Sequence, residues 1–170
     1  MNLKEKIRDI PDFPEKGILF RDITTLLKDG TAFKYAVDEI KTEISRYDFD
    51  LIVGPESRGF IVGTPLAYAM EKGFIPLRKP GKLPCETVRY SYALEYGNDS
   101  LEMHIDAIKP GERVIIVDDL MATGGTFQSA IYLVEQLGGV VVAIVALIEL
   151  EALRGREKLE GYKIFTLLKY

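Results

Sequence analysis

Residues 113–150 read RVIIVDDLMATGGTFQSAIYLVEQLGGVVVAIVALIEL, two apolar runs on either side of a stretch that carries Phe127, Ala130, Ile131, Val134 and Leu137 at helical spacing. Runs with no polar alternation predict strands buried on both faces, because a half-solvated strand would alternate. A helix between two such strands demands a parallel, right-handed crossover. The segment therefore commits the chain to an α/β architecture with a central, mainly parallel sheet.

The remaining elements fit around that unit. Phe33, Ala36, Val37, Ile40 and Ile44 recur at helical spacing after a cap at Asp29 or Thr31, which predicts an amphipathic helix over 29–47. DLIVGPE predicts a short buried strand ending at Gly54-Pro55, and SRGFIVGTPLAYAMEKG a helix broken or tilted near Gly63 to Pro65 and closed by Gly73. FIPLRKP begins as another strand. The stretch 78–89, RKPGKLPCETVR, holds four basic residues against one acid, and its two prolines and one glycine predict a basic, mobile loop without regular structure. SYALEYGNDSLEMHI predicts a β-hairpin turning at Gly97-Asn98-Asp99, Lys109 to Glu112 a turn, and the tail a short helical segment before a last strand. The 170 residues suit one domain, with no repeat or linker.

Composition excludes several classes of function. A net charge of −4 and a sequence pI of about 5.2 disfavour a general nucleic-acid or membrane surface, although a local basic pocket remains open. The longest apolar stretch, Val140 to Leu150, is too short to span a bilayer. One cysteine, Cys85, allows no internal disulfide, and the charged N-terminal segment lacks the apolar core of a signal peptide, so a cytoplasmic location is expected. His104 is the single histidine, which removes histidine metal sites and Ser-His-Asp triads and leaves oxygen ligands, partly a substrate's, for any metal.

Chemistry concentrates in VIIVDDLMATGGT, residues 114–126. Ligands in open parallel sheets bind beyond the carboxyl ends of strands, where helix N-termini also point. Ala122, Thr123, Gly124, Gly125 and Thr126 are small enough for their backbone N–H groups to close on a phosphate, with two hydroxyls in support. Asp118 and Asp119 would repel that phosphate unless a neutral group lay between, and vicinal sugar hydroxyls suit the gap. The string is neither GxxxxGK[ST] nor GxGxxG. A solvated Asp-Asp turn before an ordinary helix is the plainer reading of the two acids alone; the full thirteen-residue string favours a ribose 5-phosphate.

This string resembles the phosphoribosyl-pyrophosphate motif of the type I phosphoribosyltransferases. PDFPEKGILFRDIT (11–24), GPESRGFIVG (54–63), RKPGKLP (78–84), SYALEYG (91–97) and ELEALRGREKL (149–159) resemble, in order, the adenine-specific branch of that family. The resemblance implies the type I fold, with a small N-terminal hood over roughly residues 1–27 and a β-hairpin flexible loop. It implies the reaction of adenine with 5-phosphoribosyl-1-pyrophosphate to AMP and diphosphate, with Mg2+ held through substrate oxygens and by no protein group alone, in a homodimer.

Residue roles follow by the same resemblance. Asp118 and Asp119 would bind the ribose hydroxyls and Ala122 to Thr126 the 5-phosphate. Glu56, Ser57 and Arg58 match the pyrophosphate loop, with Arg58 the catalytic cation on the leaving group. Arg78, Lys79 and Lys82 match further pyrophosphate positions, and the arginine at the Arg78 position would reach the partner subunit's site. Leu19 and Phe20 would sandwich adenine while backbone groups near Leu19 and Arg21 read its edge; taken alone, Ile18 to Phe20 would be a short buried strand. Arg21-Asp22 would tie the hood to the body. Glu95 matches the proposed proton-transfer glutamate, and Tyr96 would cover the site. Cys85 departs from the family's small or charged residue after KLP, and Met121 replaces a common leucine without changing volume much. Two other readings share the thirteen residues: an enzyme for hypoxanthine, guanine or xanthine, and a non-catalytic regulator that senses the donor.

Overall fold

The computed structural model describes residues 1–93 and 98–170. Its chain forms two compact units, Met1–Glu39 and Ile40–Tyr170.

In the first unit, β1 (Arg8–Pro11) and β2 (Leu19–Asp22) make an antiparallel ribbon, followed by α1 (Thr24–Lys28) and α2 (Gly30–Ile44), within which the boundary falls. Of the two expected caps, Asp29 and Thr31, Asp29 serves α2, its Oδ1 accepting from the Ala32 N–H at 3.1 Å. Asp22 accepts from the Thr24 N–H (2.9 Å), the Thr24 hydroxyl (2.7 Å) and Arg8 Nε (2.9 Å), and those donors hold its pKa down at about 2. Arg21 pairs with Asp9 on the neighbouring strand. These bonds lie within the first unit.

The second unit is built on a five-stranded parallel sheet. Its strands are β3 (Leu51–Pro55), β4 (Gly73–Leu77), β7 (Arg113–Met121), β8 (Val140–Glu149) and β9 (Ile164–Lys169), in the order β4-β3-β7-β8-β9. The central strand β7 is buried on both faces, which explains its unbroken apolar run. Val114 and Ile116 join a core with Phe127, Ala130 and Val134 of α4 (Gly125–Gln136), while Ile115 and Val117, pointing the opposite way, are equally buried. The chain steps outward from β3 to β4 and, after β7, outward the other way through β8 and β9. The direction reverses between β3 and β7, and the crevice past their carboxyl ends is where such a sheet receives a ligand.

Three local expectations need correcting. Helix α3 (Arg58–Ala69) runs as one element through Pro65. Gly63 serves packing instead of a break: a Cβ there would sit 2.6 Å from the Phe74 ring. The helix is closed by Glu71, not Gly73; Glu71 takes φ +54° and Lys72 N–H donates to Ala67 C=O at 2.9 Å, a Schellman arrangement. The hairpin of β5 (Thr87–Ala93) and β6 (Asn98–His104) starts earlier than expected and pairs Ala93 with Asn98 and Tyr92 with Asp99. Asn98 and Asp99 are therefore strand residues, not turn residues.

Candidate active site

Strands β3 and β7 carry the two halves of the site to the crevice. After β3, Glu56 and Ser57 lead into α3, and the Glu56–Ser57 peptide is cis. After β7, residues 122–124 lead into α4. Asp118 and Asp119 stand inside β7 and not beyond its end, because the ladder with β8 continues to Met121↔Glu149. Both carboxylates are consequently buried, at 8% and 5% exposure.

Two adjoining cavities open here. One, of about 350 Å³, is lined by Glu56, Ser57 and Lys79; the other, of about 160 Å³, is lined by Ala122, Thr123, Gly124 and Gly125; Arg58, Asp118, Asp119 and Thr126 line both. Each cavity adjoins a helix start. Ser57 precedes α3 without a capping bond from its own hydroxyl, and Gly124, at φ +82°, precedes α4 with no side chain to offer one. First-turn N–H groups without a side-chain acceptor suit an anion.

The carboxylates between the cavities are electrostatically strained. Burial raises the pKa of Asp118 well above its ordinary range, and the neighbouring Asp119 charge adds to the effect. Burial also raises Asp119, against the pull of Arg58, whose Nε lies 2.7 Å from Asp119 Oδ2. Asp118 Oδ1 accepts the Asp119 N–H at 2.8 Å. Gly59 in the first turn of α3 lets that helix approach: a Cβ there would stand 3.0 Å from Asp118 Oδ1 and 2.8 Å from Pro55.

Around the larger cavity the acids organise cations. Glu56 accepts the Lys79 N–H at 2.5 Å and stands 3.5 Å from Arg78 Nη2. Burial opposes its ionisation, but those partners outweigh it and hold its pKa below the ordinary range. Glu102 was not singled out by its sequence, yet it anchors the basic loop. It is 3% exposed, accepts from Arg89 Nε (2.8 Å) and the Gly81 N–H (3.1 Å), and exchanges backbone hydrogen bonds with Arg78. Alternation with Leu101 and Met103, both in the core, would turn its side chain to the other face, so nothing in the sequence signalled its burial.

The geometry thus brings together Glu56, Ser57, Arg58, Lys79, Asp118, Asp119 and the loop 122–126. Arg78 stands behind them on Glu56, and Lys82 is exposed and outside both linings. Leu19, Phe20 and Arg21 lie on β2 of the first unit; Leu19 is 44% exposed, unlike the buried strand that its apolarity suggests, and Phe20 meets Phe13 edge-on at 5.2 Å. Glu95 and Tyr96 lie outside the described residues. His104 is a β6 residue, as expected.

Comparison with known proteins identifies the family. The family model described as "Phosphoribosyl transferase domain" matches residues 24–168. An adenine phosphoribosyltransferase of Lachnoclostridium phytofermentans is 59% identical over 168 residues, covering 99% of this chain and 97% of the relative. The crystal structure of adenine phosphoribosyltransferase from Thermoanaerobacter pseudethanolicus superposes with a TM-score of 0.96 at 56% identity, covering 99% of this chain and 98% of that one. The Saccharomyces cerevisiae enzyme, complexed with adenine and an imino-altritol 1,6-bisphosphate, gives a TM-score of 0.92 at 42% identity, covering 98% and 96%. The chain belongs to the phosphoribosyl transferase domain family and, within it, to the adenine phosphoribosyltransferases.

Proposed function

We propose that this enzyme transfers the phosphoribosyl group of 5-phosphoribosyl-1-pyrophosphate to adenine, forming AMP and diphosphate in purine salvage. The observation that carries the reading is the pair of cavities that share Arg58, Asp118, Asp119 and Thr126. A donor with a phosphate at one end, a pyrophosphate at the other and a diol between them fits that plan. The yeast relative's ligand, a 1,6-bisphosphate, also carries a phosphate at each end.

In this reading the loop 122–126 takes the 5-phosphate and Asp118 with Asp119 accept from the ribose hydroxyls. Ser57, Arg58 and Lys79 face the pyrophosphate, and Arg78 and Lys82 add positive charge from further out. Glu56, a carboxylate that cannot itself receive an anion, holds Lys79 and Arg78 in place. Leu19, Phe20 and Arg21 take the base. Adenine N9 forms the new bond to the anomeric carbon as the C–O bond to pyrophosphate breaks, its electron pair leaving with the pyrophosphate oxygen. The N9 proton passes to Glu95 or solvent, and Tyr96 covers the site. Since charge builds on the leaving group, Arg58 accelerates the step by stabilising that oxygen, and the rest is positioning.

Magnesium suits this donor set, because it binds few protein carboxylates and keeps substrate oxygens. Asp118 and Asp119 would hold the ribose beside such an ion, which, when bound, would neutralise phosphate charge. The same reading treats residues 1–170 as one working domain with an N-terminal hood, in a homodimer by family resemblance. It takes no nucleic acid. A cytoplasmic setting accords with the single exposed thiol, Cys85.

The test is pyrophosphate release from donor and magnesium with adenine, hypoxanthine, guanine and xanthine supplied separately. Release with adenine alone is expected. Equal release with another purine would reassign the base, and donor binding without release would indicate a sensor.

A further inference from the structure

The segment after β8 packs against the back of the phosphate loop with no side chain between them. A Cβ on Gly155 would stand 2.3 Å from the Ala122 carbonyl oxygen and 3.1 Å from the Gly124 nitrogen, and a Cβ on Gly124 would stand 2.5 Å from the Gly155 carbonyl oxygen. These are backbone atoms on both sides, so neither chain can give way locally. Arg154, at φ +53°, turns the segment to make the approach. The Leu150 N–H donates to the Met121 carbonyl at 2.9 Å, fixing its other end to β7.

An ion pair between a buried carboxylate and a partly exposed arginine holds the turn there. Glu149, the last residue of β8, is 4% exposed and accepts from Arg156 Nε at 2.7 Å, Arg156 Nη2 at 2.8 Å and the Thr166 hydroxyl at 2.6 Å. Both carboxylate oxygens are thereby used, which a buried charge requires. The bidentate fork sets direction as well as distance. Gly155, the residue next to Arg156, is carried with it. None of Glu149, Gly155 and Arg156 lines either cavity.

We infer that Glu149 and Arg156 are positioning residues for the phosphate loop: their ion pair presses the Gly155 backbone against Ala122 and Gly124 and so sets the spacing of the loop's N–H groups. The inference rests on the reading that residues 122–126 receive the 5-phosphate. It assigns the pair no contact with substrate and no part in binding pyrophosphate.

Titration calorimetry of the full chain with ribose 5-phosphate and, separately, inorganic pyrophosphate distinguishes these statements. In Gly155→Ala and Arg156→Gln the ribose 5-phosphate Kd should rise about tenfold to a hundredfold, the cost of misplacing a binding group by about an ångström. The pyrophosphate Kd should stay at the wild-type value. Arg156→Lys, which keeps the charge and loses the fork, should fall between. In turnover, the donor KM should rise more than kcat falls. Unchanged ribose 5-phosphate binding in Gly155→Ala and Arg156→Gln overturns the inference, as does parallel loss of both ligands in all three variants. Failure of the wild-type chain to bind ribose 5-phosphate overturns the loop's assignment itself, and the inference with it.

Discussion

Arg58 Nε makes its 2.7 Å ion pair with Asp119, while Asp118, one residue earlier and still more strongly perturbed, has its Oδ1 on the Asp119 N–H. The two acids are therefore not equivalent. Asp119 is partly neutralised by a cation that also faces the larger cavity, whereas Asp118 carries most of the burden of burial. Binding energy from ribose hydroxyls has most to relieve at Asp118.

Asp118→Asn should stabilise the protein without ligand while damaging catalysis. Burial raises the folded-state pKa of Asp118 above its ordinary value of 3.8, so the folded state holds the proton more tightly than the unfolded state. The resulting penalty is absent below that ordinary value and grows as pH rises toward the raised one. Thermal melts should place the variant above wild type at pH 7.5, with the gap closing near pH 3.8. Turnover should fall about tenfold to a hundredfold, the worth of a charge-assisted hydrogen bond. An unchanged melting temperature at pH 7.5 would contradict this.

Arg58→Ala should lower kcat by about a hundredfold or more, as loss of a donor to developing charge does. It should also raise the pKa of Asp119, since Arg58 is what opposes burial there. Arg58→Lys should restore part of the activity. Steady-state kinetics in which alanine and lysine behave alike would remove the leaving-group role.

Glu56 separates holding a cation from touching the substrate. Glu56→Ala frees the Lys79 N–H and the Arg78 side chain, so kcat/KM for the donor should fall about tenfold. Glu56→Gln keeps an acceptor for the Lys79 N–H and should lose less. A gain in donor affinity on removing this carboxylate would mean that it merely repels the pyrophosphate.

Gly63→Ala should lower stability by about 1–3 kcal/mol, because its methyl group meets the Phe74 ring that Gly54 confines from another side. Phe74 also packs edge-on against Phe60 at 5.7 Å. In a double-mutant cycle measured by urea denaturation, Phe74→Leu should recover part of the loss. Strict additivity would show that the two residues do not meet.

The sequence-to-structure correspondence is closest where one physical requirement dominates. Burial on both faces made β7 and β8 legible as parallel strands, and Asp29 marked the start of α2 because few side chains can cap a helix. Pro65 misled because helix breaking is a local rule, and Gly63 sits beside it for a tertiary reason, the Phe74 ring. Asp118 and Asp119 were legible as the end of the strand RVIIVDD, but its continuation to Met121 was not, since that part of the ladder depends on the partner strand. Glu102, Glu149 and Arg156 remained hidden for the same cause: a charged residue reads as solvated until the fold supplies its partner. Gly155 had a weak signal, a glycine between two arginines, with nothing local to say what it approached.

The central claim is that one donor lies across Asp118 and Asp119 with a phosphate group in each cavity. A crystal structure with ribose 5-phosphate, pyrophosphate and magnesium tests it most directly. The account predicts the 5-phosphate on the N–H groups of residues 122–126, the ribose hydroxyls on Asp118 and Asp119, and pyrophosphate against Ser57, Arg58 and Lys79. A sugar phosphate bound away from the loop, with the two carboxylates untouched, would contradict it.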